Sequence, residues 1–275
     1  MPSSLGIVLP AFNEAQRIGP ALDELFAYLC GPEKATLPDS IRVLVVDDGS
    51  SDGTVDVVRA RPEFRDDAPA ATGCELRLLS VPHGGKGSAV RAGMLAADAD
   101  VIVFADADMA TPPNQLPRLV RALDDHDVAL GSRIQTDGSD MRATQPRFRR
   151  WIGRCFRFAA QVWVTGTVKD TQCGFKGFRG PVAHDLFALL KVTSIVFDVD
   201  LIFLARKRGY RIAIVPVVWT DIRGSRMHAR PKLALRVAWD LVRIRFIHRG
   251  VGRRRADSGA SHVYSDAQAD RASRP

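Results

Sequence analysis

Four apolar runs, separated by helix-like stretches, constrain this chain more than any other feature. Positions 5–9, 41–46, 76–80 and 101–105 are dominated by Val, Ile and Leu. Such runs read as strands buried on both faces, the habit of parallel sheets. Between and after them, 14–29, 52–60, 86–97 and 114–124 carry helical patterning. The alternation predicts βαβ units and a mainly parallel, Rossmann-like α/β sheet with helices on both faces. Ligands of such sheets bind beyond the carboxyl ends of the strands. The polar motifs fall there: Asn13-Glu14 after the first run, Asp47-Asp48 after the second, His83 to Gly87 after the third, Asp106 and Asp108 after the fourth.

Each motif has a chemical use. Asp106-Ala107-Asp108 puts two carboxylates one residue apart at a strand mouth, a set of hard oxygen ligands suited to Mg²⁺ or Mn²⁺ shared with a phosphorylated substrate. Asn13 and Glu14 lie on a strand-to-helix turn, within reach of a base or ribose. A carboxylate at Asp48 can accept a hydrogen bond from a base N–H. Ser50, Ser51 and Asp52 read as an N-cap cluster for the next helix. Gly84-Gly85-Lys86-Gly87 opens a helix, where glycines allow close backbone approach and Lys86 offers charge to phosphate. The string has neither Walker A spacing nor a GxGxxG fingerprint.

The second half is less regular. A strand at 128–130 ends in Gly131-Ser132-Arg133, and a loop at 134–146 follows. Helices are expected at 147–166, 181–190, 199–208 and 231–248, with a strand at 212–219. Phe148, Trp151, Ile152, Cys155, Ala159 and Val162 form an apolar stripe beside Arg147, Arg150, Arg154 and Arg157. From Gly250 onward the composition suggests a disordered tail. The organisation read from this is a first half at 1–133, a second half with basic amphipathic helices at 134–250, and a tail at 251–275.

Charge separates the two halves. Residues 1–130 hold 11 Lys/Arg and 20 Asp/Glu, a net of −9, whereas 131–275 hold 28 and 11, a net of +17. An acidic half suits a metal, and a basic half suits a polyanion or an anionic membrane surface. No nucleic-acid module accompanies the basic half, which leaves DNA or RNA binding a remote alternative. Cys30, Cys74, Cys155 and Cys173 show no CxxC spacing, so a reducing compartment is expected. Neither a signal peptide nor an apolar run of about 18 residues is seen. Cys173 reads as a packing residue rather than a nucleophile.

Pro10-Ala11-Phe12-Asn13-Glu14, VVDDGSSDGT at 45–54, GGKG at 84–87, DAD at 106–108, TQCGFKGFR at 171–179 and Phe197-Asp198-Val199-Asp200 together resemble family 2 glycosyltransferases of the GT-A fold. The likeness spans about 5–248. It is nearest to the polyprenyl-phosphate branch, the dolichyl-phosphate β-glucosyltransferases and mannose synthases. The resemblance implies an inverting, metal-dependent transfer of a hexose to polyprenyl phosphate. UDP-glucose is the favoured donor, with GDP-mannose next. A soluble phosphorylated acceptor is the alternative.

It further implies that Pro10, Asn13, Glu14, Asp47, Asp48, Lys86 and Asp106 border the donor. Asp106 and Asp108 hold the ion, Asp108 more directly. Where mannose synthases often carry a Gln after the second Asp, Met109-Ala110 stand here, so water takes a larger part of the shell. Asp198 and Asp200 lie near the reacting centre. Arg133, Arg179, Arg226 and Lys232 are candidates for the acceptor phosphate, Arg133 also for catalysis. A lipid phosphate is already ionised near neutral pH and needs no strong base. Two repelling anions must instead be brought together, by metal on one side and Arg or Lys on the other. Peripheral attachment to the cytoplasmic membrane face through 147–166 and 231–248 is expected. The oligomeric state stays open.

Overall fold

A computed structural model describes residues 2–65, 73–141, 164, 166, 168–220 and 231–254, without the side chains of Glu33, Ala35 and 231–236. The strands are β1 (Ser4–Ala11), β2 (Ser40–Asp47), β3 (Cys74–Ser80), β4 (Val101–Ala105), β5 (Val128–Ser132), β6 (Phe175–Arg179) and β7 (Ile212–Pro216). They form one seven-stranded sheet in the order β3-β2-β1-β4-β6-β5-β7. All pairings are parallel except those of β6, which runs antiparallel to both β4 and β5. The four apolar runs are therefore the parallel strands they were expected to be.

The strands are buried because their alternate residues feed two cores. In β4, Val101, Val103 and Ala105 enter one cluster. Ile102 and Phe104 enter the other. The first cluster is completed by α1 (Ile18–Cys30), α2 (Thr54–Arg59) and α4 (Leu116–Ala122). The second is completed by α3 (Lys86–Ala96), α5 (Gly180–Leu189) and α6 (Phe197–Arg208). The result is a helix–sheet–helix sandwich. A smaller cluster joins α6 to α7 (Pro231–Ile247) on the outside.

The sheet crosses the expected 133/134 boundary, since β6 and β7 lie in it with the strands of the first half. Expected helices start or stop a few residues away; the one expected at 14–29 begins at Ile18. The strand expected over 212–219 ends at Pro216. The tail expected from 251 is corrected at its start. Arg254 N donates to Arg208 O at 3.1 Å, and Val251 packs against the second core. The basic helix expected at 147–166 lies outside the described residues except at 164 and 166; Phe148, Trp151 and its arginines are outside them, as are Arg226 and 255–275.

Candidate active site

The carboxyl ends of β1, β2, β3, β4 and β5 open on one rim of the sheet. Because β6 is antiparallel, its amino end reaches the same rim. Asp106 and Asp108 leave β4 there. Asp106 N donates to Gly174 O at 3.0 Å, just before β6 begins. A Cβ on Gly174 would stand 2.1 Å from Asp106 Oδ2, so only glycine lets the carboxylate occupy this position. Asp108 Oδ1 accepts from Ala110 N at 3.1 Å. Burial, then the charge of Asp106, raises the Asp108 pKa. Met109, between them and Ala110, holds φ at 51°, a left-handed turn uncommon for its residue type.

Lys86 begins α3 and donates its ammonium to Asp106 Oδ1. Burial works against its charge, but Asp106, Asp198 and Asp108 outweigh burial and raise its pKa. Asp198 sits in the first turn of α6, where a helix N-terminus favours a carboxylate. Its Oδ1 accepts from Lys176 Nζ at 2.6 Å. That lysine is fully buried on β6; it also donates to Cys173 O at 2.6 Å and lies over the Phe104 ring. Burial is the largest influence on Asp198 and raises its pKa, against the pull of Lys176 and then Lys86. A row of alternating charge thus runs outward from the sheet: Lys176, Asp198, Lys86, Asp106.

The first two loops are tied to each other. Asn13 takes a left-handed φ of 53°, which asparagine tolerates better than most residues. Its Oδ1 accepts from Ser51 N at 2.9 Å, and its own N–H donates to Ser50 Oγ at 2.9 Å. Thr54 Oγ1 accepts from Glu14 N at 2.8 Å, and Asp52 Oδ2 from Ala15 N at 3.1 Å. The serines and Asp52 therefore bind the Asn13-Glu14 turn, and Asp52 Oδ1 accepts from Thr54 N at the start of α2. Pro10 lies in β1 opposite Val46. Asp47 accepts from Ser50 N. Asp48 is buried; its two oxygens accept from Gly84 N at 2.8 Å and Gly85 N at 2.9 Å, so it anchors the glycine loop. His83 Nδ1 lies 2.9 Å from Asp48 Oδ2, and its exposed ring stacks on Phe12 with centroids 4.2 Å apart.

Arg133 follows β5 on this rim. Its Nε and Nη2 hold Asp170 at 2.9 and 2.7 Å, and its backbone N–H donates to the same carboxylate. Burial opposes the charge, but Asp170 outweighs it and raises the Arg133 pKa. The guanidinium also lies over the Trp219 ring.

Two expected site residues are not brought to this rim. Arg179 pairs with Val101 at the opposite end of the ladder, about 13 Å from the Asp106 end at roughly 3.3 Å per residue. There it donates to the carbonyls of Leu123, Asp124 and His126 after α4. Asp200 is fully buried on the other side of α6 from Asp198, because two helical residues are about 200° apart. It accepts from Lys191 N and Val192 N and pairs with His248 at 2.6 Å. Arg179 and Asp200 hold the fold together at these places. Lys232 lies in α7, and its side chain is outside the described residues.

Sequence reasoning missed Lys176 and Asp170. Both flank or lie within the block at 171–179, yet a lysine amid FKGFR gives no sign that it is buried. Cys173 is buried as expected, and burial, then Asp170, pushes its thiol up to about 12.

Among the described residues, no group of three or more His, Cys, Asp or Glu gathers to hold a metal. The two carboxylates of Asp106 and Asp108 are hard oxygen donors of the kind that would suit Mg²⁺ or Mn²⁺, which would need further ligands from outside the chain. Gln115 supplies none: its amide bonds Asn114 and Val218 N.

A family model described as glycosyl transferase family 2 matches residues 6–187. The dolichyl-phosphate beta-glucosyltransferase of Drosophila melanogaster is 37% identical over 81% of this chain and 69% of its own length. That of Dictyostelium discoideum is 33% identical over 88% and 74%. The human protein of the same name is 32% identical over 81% and 69%. A crystal structure of glucosyl-3-phosphoglycerate synthase from Mycobacterium tuberculosis with Mn²⁺, UDP-glucose and phosphoglyceric acid superposes with a TM-score of 0.62. It is 21% identical and covers 94% of this chain and 82% of its own. That structure shares the fold.

Proposed function

The chain belongs to glycosyltransferase family 2 and is a hexosyltransferase, and from that premise we propose that it moves glucose from UDP-glucose to a polyprenyl phosphate. The observation that carries the reading is the placing of Lys86 between Asp106, Asp108 and Asp198 on one rim. Such a row suits a diphosphate with its counter-ion. The relatives named as dolichyl-phosphate beta-glucosyltransferases support glucose as the sugar and a lipid phosphate as acceptor.

In this reading Asp106 and Asp108 would hold a divalent cation, which when bound would supply positive charge against the leaving nucleoside diphosphate. Lys86 donates to a phosphate oxygen from the side of α3. Asn13, Glu14, Asp47 and Asp48, with Pro10 behind them, border the nucleoside. Asp48 does so while anchoring the glycine loop. Asp198, held by Lys176, orients the sugar hydroxyls or the acceptor. Arg133 spends two of its five N–H donors' directions on Asp170, and its remaining N–H groups meet the acceptor phosphate. An acceptor phosphate oxygen attacks the anomeric carbon, the bond to the diphosphate breaks, and its electrons leave with the nucleoside diphosphate. A single displacement inverts the anomeric centre. Such an acceptor brings the enzyme to a membrane surface, which we assign to the cytoplasmic face. Among the described residues no helix is long and apolar enough to cross a membrane.

The test is transfer by the purified full chain with Mn²⁺, polyprenyl phosphate and radiolabelled UDP-glucose or GDP-mannose. Label from UDP-glucose is expected in the organic extract. Label extracted only from GDP-mannose overturns the donor. Label that stays aqueous with a phosphorylated small acid overturns the lipid acceptor.

A further inference from the structure

Five large apolar side chains among the described residues are exposed, and three of them share one face of α7. Trp239, Val242 and Phe246 are 64%, 45% and 48% exposed, at i, i+3 and i+7. That spacing stacks them along a single stripe. On the opposite face, among the described side chains, Leu241 and Ile244 are buried against α6 and the 192–199 segment. The apolar stripe is therefore surplus to the packing of the domain.

The described charges at the carboxyl end of α7 and just after it are sorted in the same way. Arg245 and Arg249 are exposed beside the stripe, and the Arg249 guanidinium lies 4.5 Å from the Phe246 ring centroid. The helix has one acid, Asp240, and it is turned inward. Ser194 Oγ donates to it at 2.6 Å, and Arg243 pairs with it at 2.9 Å. The outward face thus combines a tryptophan, a phenylalanine and a valine with arginines and no carboxylate. That is the chemistry of a helix lying in the headgroup plane of an anionic bilayer. A protein partner would have to supply acidic and apolar groups in matching register. A lipid surface needs no register.

We infer that the Trp239–Val242–Phe246 face of α7 is the surface by which this protein docks on anionic lipid. The inference deepens the lipid-acceptor reading and rests on it for its purpose. The route from this face to the site is short. Asp240 holds Ser194, and the neighbouring Thr193 carbonyl packs on Gly87, where a Cβ would stand 2.5 Å away. Docking through α7 thus fixes the membrane one hydrogen bond and one residue away from the loop that carries Lys86.

Vesicle flotation of the full chain decides it, without sugar nucleotide or acceptor. Vesicles of phosphatidylglycerol and phosphatidylcholine are compared with phosphatidylcholine alone at low salt. Co-flotation with the anionic vesicles is expected. The Trp239→Gln/Val242→Gln/Phe246→Gln variant is expected to keep its melting temperature and lose at least tenfold in partition. Arg245→Gln/Arg249→Gln is expected to lose about thirtyfold, since each basic residue near such a surface contributes roughly a factor of five. Three results overturn the inference. They are no flotation with anionic vesicles, flotation undiminished in the triple variant, or a triple variant whose mass in light scattering halves, which would make a second copy the occupant. A chain that docks as expected yet transfers a different sugar, or to a soluble acceptor, would overturn the proposed reaction and leave this surface standing.

Discussion

At the scale of single residues, Gly174 and Asp106 give the sharpest test of the site. Gly174→Ala places a methyl 2.1 Å from the Asp106 carboxylate, which must then leave its position. Transfer is expected to fall at least a hundredfold, while circular dichroism stays native. Asp108→Ala removes a proposed ligand whose cation supplies several kcal/mol of charge stabilisation, so a loss of about a thousandfold in kcat is expected. Its melting temperature should stay within about 2 °C, because the bond its side chain accepts, from Ala110 N, closes only its own turn. Normal turnover of that variant with Mn²⁺ present would remove the metal assignment. That Asp106, Asp108 and Lys86 share one rim was legible in the sequence because their motifs follow the ends of parallel strands, whereas Asp198 opens a helix and joins them through Lys176. Lys176 was not legible, because burial of a lysine depends on a carboxylate 22 positions away that sequence spacing does not connect. Asp200 looked equal to Asp198 for the opposite reason. Their two-residue spacing reads as a pair on paper but as two faces on a helix.

At the scale of elements, buried and half-buried ion pairs join parts that hydrophobic patterning alone leaves loose. Asp170→Ala strips the partner from Arg133 and leaves a charge nearly buried. A loss of about 3 kcal/mol, or roughly 10 °C in melting temperature, is expected in calorimetry. Asp185 on α5 receives Arg208 Nε and Nη2, each at 2.8 Å, and Tyr210 Oη at 2.7 Å. Burial alone would raise its pKa, but these partners outweigh it and hold the carboxyl below the usual range. Its stabilisation is then present above the unfolded pKa near 4 and lost as pH falls through the lower folded value. Urea unfolding should show Asp185→Asn weaker than the unaltered chain at pH 7, with the gap closing toward pH 3. Tyr210 runs the other way. Burial, then Asp185, pushes its phenol up to about 12, so its share is whole below about pH 10 and lost as pH climbs through 12. The helices and parallel strands were legible because period 3.6 and apolar runs are local signals. Strand β6 was not. Its FKGFR sets a lysine, a glycine and an arginine beside two phenylalanines, so no apolar run marks it as a buried strand.

At the scale of the whole molecule, the strand that sequence reading missed is the one that joins the two halves. β5 touches β4 only through β6, so a fragment of residues 1–133 has no partner for the edge of β4. Expressed alone, that fragment is expected to aggregate or remain unfolded, since an unpaired apolar strand edge invites association. A monodisperse, cooperatively melting fragment would show that the first half is an independent unit. The charge asymmetry was legible from composition, but the meeting of its two sides was not, because it depends on the order of strands. The antiparallel insertion has a mechanical consequence. The residues contributed by either half are riveted to a common ladder, so their separation is set by strand spacing and leaves no hinge for a clamshell. A substrate that reaches this rim therefore meets a floor that the sheet holds still.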